Sequence, residues 1–244
     1  MDASVNLEIP KRALAIGAHP DDIEFGCGGT LAKWASSGCE IFHLVCTDGS
    51  KGTWDPTTNQ QSLVAERQLE QQRAARELGG THDVIFLGWP DGELRSGLEQ
   101  RRQVAQWIRR LQPDVVLAHD PWKRYRLHPD HREAGFLATE GIVAARDPLF
   151  FPELDEAPHR PQSLLLFEPD EIDHYEDVTD HFVTKIRALL AHQSQFETTM
   201  HIGDDATADT TTEEFVERQR QRLAATGEDV GIALAEPFKR MDQL

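Results

Sequence analysis

The stretch ALAIGAHPDD (Ala13–Asp22) decides how the rest of the chain reads. Its first six residues, Ala13–Ala18, are apolar and of strand length. Histidine, proline and two aspartates follow at once, then a glycine-rich stretch and a segment of helical spacing, Gly28–Ser37. Strand, polar turn and helix make the repeating unit of a parallel α/β sheet. The unit recurs with strands expected at Ile41–Cys46, Val84–Leu87, Val115–Ala118 and Ser163–Phe167. Helices are expected at Ser62–Leu78, Gly97–Leu111, Asp130–Ala145, Val178–Ala191 and Glu213–Ala225. Near-continuous apolar strands imply that both faces of the sheet are covered. The expected fold class is therefore α/β, a three-layer sandwich on a mainly parallel sheet with strand order 3-2-1-4-5.

Residues 1–244 read as one domain, without repeat or linker. Glu153–Pro161 reads as a surface loop. Thr198–Thr212, rich in Thr and Asp, reads as a mobile loop that would cover a site. A C-terminal helical segment is expected to dock on the body, and GIALAEPF (Gly231–Phe238) is apolar enough to dock there as well.

A second polar segment, HPDH (His128–His131), follows the fourth expected strand. In open parallel sheets ligands gather beyond the carboxyl ends of strands where the order reverses. In the order 3-2-1-4-5 the first and fourth strands are neighbours there, so both histidine motifs face one crevice. His19, Asp22 and His131 offer two imidazoles and a carboxylate, a suitable set for catalytic zinc with an open position for water. Two imidazoles favour zinc or another first-row divalent metal over magnesium. Asp21, adjacent to a ligand, is the candidate general base. His128 is the candidate oxyanion stabiliser or acid, and Asp130 is expected to orient and charge His128. Gly26, Gly28 and Gly29 are expected to open a helix whose N-terminus favours an anion.

Composition narrows the partners. Lys plus Arg number 25 and Asp plus Glu 42, a net charge of −17. Such a field repels phosphate backbones, so nucleic acid is not an expected partner. No apolar stretch is long enough for membrane insertion. The three cysteines, Cys27, Cys39 and Cys46, lack the spacing of a disulfide framework or cysteine zinc site. A cytoplasmic location is the default expectation.

At these residues the chain resembles the PIG-L/LmbE family of zinc-dependent de-N-acetylases. The resemblance runs from AHPDDIEFGCGGTLAKW (Ala18–Trp34) through TDGSKGT (Thr47–Thr53), ERQLEQQRAARELG (Glu66–Gly79), FLGWPDG (Phe86–Gly92) and PDVVLAHDP (Pro113–Pro121). It ends with HPDHREAG (His128–Gly135), AHQSQ (Ala191–Gln195) and AEPF (Ala235–Phe238). It implies a Rossmann-like fold, zinc on His19, Asp22 and His131, Asp21 as base, and His128 as stabiliser or acid. The implied reaction is attack of zinc-bound water on the acyl group, acetyl first, of an N-acylated amino sugar or related amine. It also implies that Arg67 and Asp91 contact sugar hydroxyls, and a homo-oligomer is possible. Two departures concern substrate. Ser50, followed by Lys51, stands where relatives often carry glutamate. Arg126, beside Tyr125, stands where some carry an oxyanion-assisting tyrosine. Arg126 is therefore a candidate for an electrostatic role or for binding an acidic substrate group.

Trp54 and Trp122, in loops after the second and fourth strands, are candidates for an aromatic wall against a sugar face. His119 and Asp120 end the fourth strand near the crevice, and His192 is a candidate pocket residue. His43 reads as structural, and His82, His159, His174, His181 and His201 as surface. Two other classes stay open. One is a nucleotide- or cofactor-binding Rossmann domain, against which GCGGT is not GxGxxG. The other is a metallo-phosphoesterase, which usually wants two metals and more carboxylates.

Overall fold

A computed structural model describes residues 3–203 and 208–244. Eight strands form one sheet: β1 (Ser4–Val5), β2 (Arg12–Gly17), β3 (Glu40–Thr47), β4 (Ile85–Trp89), β5 (Val115–His119), β6 (Ser163–Phe167), β7 (His174–Asp177) and β8 (Ala235–Asp242). The helices are α1 (Asp22–Ser36), α2 (Gln60–Glu77), α3 (Leu98–Leu111), α4 (Pro129–Arg146), α5 (Phe182–Leu190) and α6 (Ala208–Glu228).

The sheet order is β1-β7-β8-β6-β5-β2-β3-β4. The expected 3-2-1-4-5 is contained in it as β4-β3-β2-β5-β6, all parallel. Beyond β6 the sheet continues through three strands that the apolar pattern does not show. β8 runs antiparallel to both β6 and β7. The docking of GIALAEPF takes the form of strand β8, and the expected C-terminal helix is α6, which buries Phe215 and Leu223 against Phe182 and Leu189.

Alternation along β2 divides the core. Ala13 and Ala15 face a layer with Ile23, Leu31, Trp34, Leu78 and Phe167. Leu14 and Ile16 face the opposite layer, with Val104, Ile108, Leu137 and Ile142 of α3 and α4. Burying each such Leu or Ile contributes about 1.5–3 kcal/mol. A one-residue slip would exchange the two layers, so the register is strongly specified.

Other expectations change. His174 is fully buried, with Nδ1 2.8 Å from Ser4 Oγ and Nε2 2.9 Å from Glu176 Oε1. It holds the N-terminal strand and is not a surface histidine. The loop expected at 198–212 overlaps a π-helical turn, Phe196–Met200, and the first turns of α6. Its residues 204–207 lie outside the described residues. Among the described residues no helix is long and apolar enough to cross a membrane.

Candidate metal centre

β2 and β5 are parallel neighbours, with Ile16 opposite Ala118. Their ends deliver the two histidine motifs to one place. After β2 the chain turns through His19, Pro20 and Asp21 into α1. After β5 it passes Asp120–Leu127 into α4, with His128 at the N-cap and Pro129 in the first turn, where its fixed φ suits a helix start.

Asp22 is the hub. Its Oδ2 lies 3.3 Å from His19 Nδ1 and 3.1 Å from His119 Nε2, and its Oδ1 lies 3.2 Å from His131 Nε2. The His19 amide also donates to Oδ2 at 2.7 Å. Burial pushes this carboxyl upward, but His131 and His119 outweigh burial and hold it well below the usual range. His128 and His131 stack with ring centroids 4.7 Å apart, and His19 meets His128 edge-on at 4.5 Å.

His19 Nε2 faces two further carboxylates, Asp91 Oδ1 and Asp130 Oδ2, each at 3.2 Å. Burial raises Asp91, yet the bond to His19 and its neighbours hold it at about 2. Asp130 also accepts from the amides of Gly92 and Leu94. Asp130 therefore orients His19 and the loop after β4, not His128 as expected. In α4 it occupies the second helical position and turns away from the residue two before it.

Asp21 stands at φ +107°, a strained backbone for a residue with a Cβ. Its amide donates to Gln71 Oε1 at 2.9 Å, and Gln71 Nε2 donates to Glu24 Oε1 at 2.7 Å. Burial, opposed by Arg67 and assisted by Asp22, pushes the Asp21 carboxyl up to about 6. Arg67 is buried by α2, donates to Gly49 O and Pro20 O, and reaches within 3.8 Å of Asp21 Oδ2. His128, at the mouth, is pushed below the usual imidazole range by partial burial and by His19 and His131. It is a neutral hydrogen-bonding group here rather than a fixed cation.

A crevice of about 490 Å³ opens over these groups. His19, Asp21, Asp22, His128 and His131 line its floor, and Arg67, Asp91 and Trp54 its wall. Asp130, Arg126 and Trp122 do not line it. Trp122 packs edge-on to Phe136, with centroids 5.9 Å apart. Arg126 lies behind the imidazoles, its side chain 5% exposed. Its Nη1 donates to Glu168 at 3.0 Å and lies 3.3 Å from His119 Nδ1 and 3.4 Å from His131 Nδ1. That placement removes it from contact with an acidic substrate group. Lys51, Glu168, Gln195, Thr198 and Thr199 also line the crevice. Lys51 is marked in the sequence as a departure from the relatives' pattern, Gln195 lies in the AHQSQ segment, and Thr198 and Thr199 open the segment expected to cover a site; of the five, Glu168 alone carries no mark.

The donor set fits a divalent metal. His19, His128 and His131 offer ligand atoms within 4.8 Å of one another, as do Asp22, His119 and His131. The buried His119 Nε2 makes no well-formed hydrogen bond despite its closeness to Asp22. A buried nitrogen in that state suits coordination or a reoriented carboxylate. His43 and His192 behave as core residues. His43 is buried and shifted down by desolvation, and His192 lies 3.3 Å from Glu24 Oε2 behind Asp21. Cys27 is fully buried inside α1 and packs in the core, away from the crevice.

Comparison with known proteins identifies the family. Residues 14–142 match the family described as PIG-L, GlcNAc-PI de-N-acetylase. A diacetylchitobiose deacetylase of Thermococcus kodakarensis is 37% identical over 191 residues, 76% of this chain and 70% of that protein. A 1D-myo-inositol 2-acetamido-2-deoxy-alpha-D-glucopyranoside deacetylase of Streptomyces avermitilis is 32% identical over 169 residues, 59% of this chain and 57% of that one. The fold is similar to that of N,N'-diacetylchitobiose deacetylase from Pyrococcus horikoshii complexed with its inhibitor MPG. The TM-score is 0.84 at 32% identity, over 96% of this chain and 84% of that chain. With more than half its length inside the family's match and its paired histidine motifs at one crevice, the chain belongs to the PIG-L family of de-N-acetylases.

Proposed function

We propose that the protein is a metal-dependent N-deacetylase that removes an acetyl group from an N-acetylated amino sugar, with short N-acetylglucosaminyl saccharides as the first substrates to test. The observation that carries this reading is Asp21: a buried carboxyl with a pKa near 6, on a strained turn, beside the Asp22–imidazole cluster and open to the crevice. A general base works best when its pKa lies near the working pH.

His19, Asp22 and His131 are the proposed ligands of zinc, with His119 holding Asp22 from behind. Zinc bound there would lower the pKa of a coordinated water and polarise the acyl oxygen. Asp21 takes a proton from the attacking water on its carboxylate and returns it to the amine nitrogen as the C–N bond breaks. Arg67 keeps Asp21 from being protonated at neutral pH, and the Gln71 bond to its amide fixes its aim. His128 donates a hydrogen bond to the oxygen that gains charge. Asp91 and Asp130 hold His19 between them. Arg67 and Asp91 are too committed to protein partners to be primary sugar contacts, whereas Trp54, 65% exposed, is free to stack on a sugar face. The chain is read as one domain, with Thr198 and Thr199 bordering the site.

The nucleotide-binding alternative loses its main support at the glycines. Gly26, Gly28 and Gly29 lie inside α1, and the Gly29 amide donates to Glu236. The metallo-phosphoesterase alternative is separated by stoichiometry, one metal per chain being expected here. The deciding experiment is acetate release from N-acetylglucosamine, diacetylchitobiose and N-acetylglucosaminyl glycosides by zinc-loaded protein, with Asp21→Asn as control. Turnover of a phosphate ester, with no acetate from any of these compounds, would refute the assignment.

A further inference from the structure

Away from the crevice, one buried ion pair has no part in the chemistry above. Lys185 of α5 and Glu236 of β8 are each 1% exposed, with Nζ 2.7 Å from Oε1. Isolated buried pairs often cost more in desolvation than they return, so what they touch matters. Both ends meet the backbone of α1. Lys185 Nζ donates to the carbonyls of Glu24 and Phe25, each at 2.8 Å. Glu236 accepts from the amides of Gly29 and Thr30, each at 2.8 Å, and from Thr30 Oγ1 at 2.6 Å.

These groups flank a break in the helix. Cys27 has φ −146° and ψ 19°, so α1 is two helical pieces joined at a kink. In a regular helix the Gly29 amide would donate to the Phe25 carbonyl. Here the cation serves the carbonyl end of the first piece and the carboxylate serves the amide end of the second. Each charge also opposes the partial charge of the helix end it meets. The glycines make the approach possible. A Cβ on Gly29 would lie 2.8 Å from Val178 Cβ and 3.0 Å from Glu236 Oε1, and one on Gly28 would touch the Lys185 stem at 3.4 Å. The first piece is a single turn. It carries Asp22, and Asp21 caps it.

We infer that the Lys185–Glu236 pair, with Thr30, is a positioning device that sets the kink of α1 and thereby the aim of Asp21 and Asp22 into the crevice. It explains why two segments distant in sequence, GCGGT and AEPF, belong to one site. The inference rests on the proposed metal-dependent deacetylation, and neither residue touches substrate or metal.

The test compares wild type with K185M, K185R, T30V and the double variant K185M/E236Q. Folding and Tm are read by circular dichroism, zinc affinity by chelator competition, and kcat and KM on whichever acetylated sugar the wild type hydrolyses. The expected result for K185M is a loss of zinc affinity of about tenfold or more, the size typical of disturbed ligand support. A comparable fall in kcat should accompany it, with KM nearly unchanged and partial rescue in K185R. In K185M/E236Q no lone charge stays buried, so Tm should recover above that of K185M while zinc affinity and kcat stay low. Zinc affinity and kcat that recover together with Tm, or wild-type values in folded K185M, would overturn the inference. If K185M does not fold, T30V decides, since it removes one bond to Glu236 and leaves both charges. A smaller loss of zinc affinity supports the inference, and wild-type affinity refutes it. A wild type that binds zinc but hydrolyses no acetylated sugar would sink the proposed function, and zinc affinity in the variants would still judge the positioning role.

Discussion

Asp130 Oδ2 lies 3.2 Å from His19 Nε2, so the carboxylate of the second histidine motif supports the histidine of the first. The same carboxylate accepts from the amides of Gly92 and Leu94. Asp130→Asn keeps the shape but replaces one acceptor oxygen with a donor. Zinc affinity is expected to fall roughly 10–100-fold, with His128 still able to act. Chelator competition on the folded variant checks this, and unchanged affinity would mean that Asp130 supports only the loop after β4.

Asp21 couples activity to instability. Its folded pKa is raised from 3.8 to about 6, chiefly by burial. Between those values the folded state binds more protons than the unfolded state, so stability falls as pH rises, and the cost is complete above about pH 6. Asp21→Asn removes the buried charge. The metal-free variant should be more stable than metal-free wild type at pH 7–8 by on the order of 1–3 kcal/mol, and the difference should vanish below about pH 4. Denaturant melts at the two pH values measure this. Deacetylation should be lost in the variant, and in wild type it should rise with pH as Asp21 loses its proton.

How far these residues could be read from sequence depends on what they pack against. The five central strands were legible because their side chains are apolar and the sheet buries both faces. β7 and β8 were not, because their inward residues include His174, Glu176 and Glu236, charged or polar groups buried only by virtue of partners distant in sequence. The start of α1 was misplaced because GCGGT looks like a turn locally, whereas its glycines admit Phe167 and Val178 from elsewhere. The candidate ligands His19, Asp22, His128 and His131 lie in two local motifs and need only strand order to be joined, whereas His119 stands outside both. Glu168, at φ +54° after β6, has no local signal at all.

Arg126 supplies a case where position overrules residue type. Its guanidinium is sequestered behind His119 and His131 and donates to Glu168. Arg126→Met should therefore weaken zinc binding and lower kcat without a selective rise in KM for acidic substrates. Parallel kinetics on neutral and carboxylate-bearing N-acetyl sugars check this. A KM increase confined to the acidic compounds would return Arg126 to substrate recognition.

The two tryptophans expected to form one wall should separate. Trp54 is 65% exposed and lines the crevice, while Trp122 is 58% exposed but packs against Phe136 outside it. Trp54→Ala is expected to raise KM several-fold, since stacking against an aromatic ring is worth about 0.5–1.5 kcal/mol. Trp122→Ala should leave KM unchanged. Equal effects from both would show that the sugar extends past the crevice onto the Asp120–Leu127 loop.

Gly26 ties the helix to the metal centre by absence of a side chain. A Cβ there would fall 2.4 Å from Phe167 Cδ2 and 2.6 Å from Cγ, in the core and against a ring that cannot bend away. Phe167 in turn meets His119 edge-on, with centroids 4.5 Å apart, and His119 holds Asp22. Gly26→Ala should cost about 1–3 kcal/mol from overpacking, and the strain should pass through Phe167 to His119. Phe167→Leu alone should cost stability through lost packing, yet in Gly26→Ala/Phe167→Leu the smaller side chain makes room for the methyl. The double variant should therefore be more stable than the sum of the single effects, by more than the ~0.5 kcal/mol scatter of independent sites. Denaturant unfolding of all four proteins closes the cycle. Simple additivity would show that α1 shifts away from the sheet instead of pressing on Phe167, and zinc affinity would then fall through displacement of Asp22 rather than of His119.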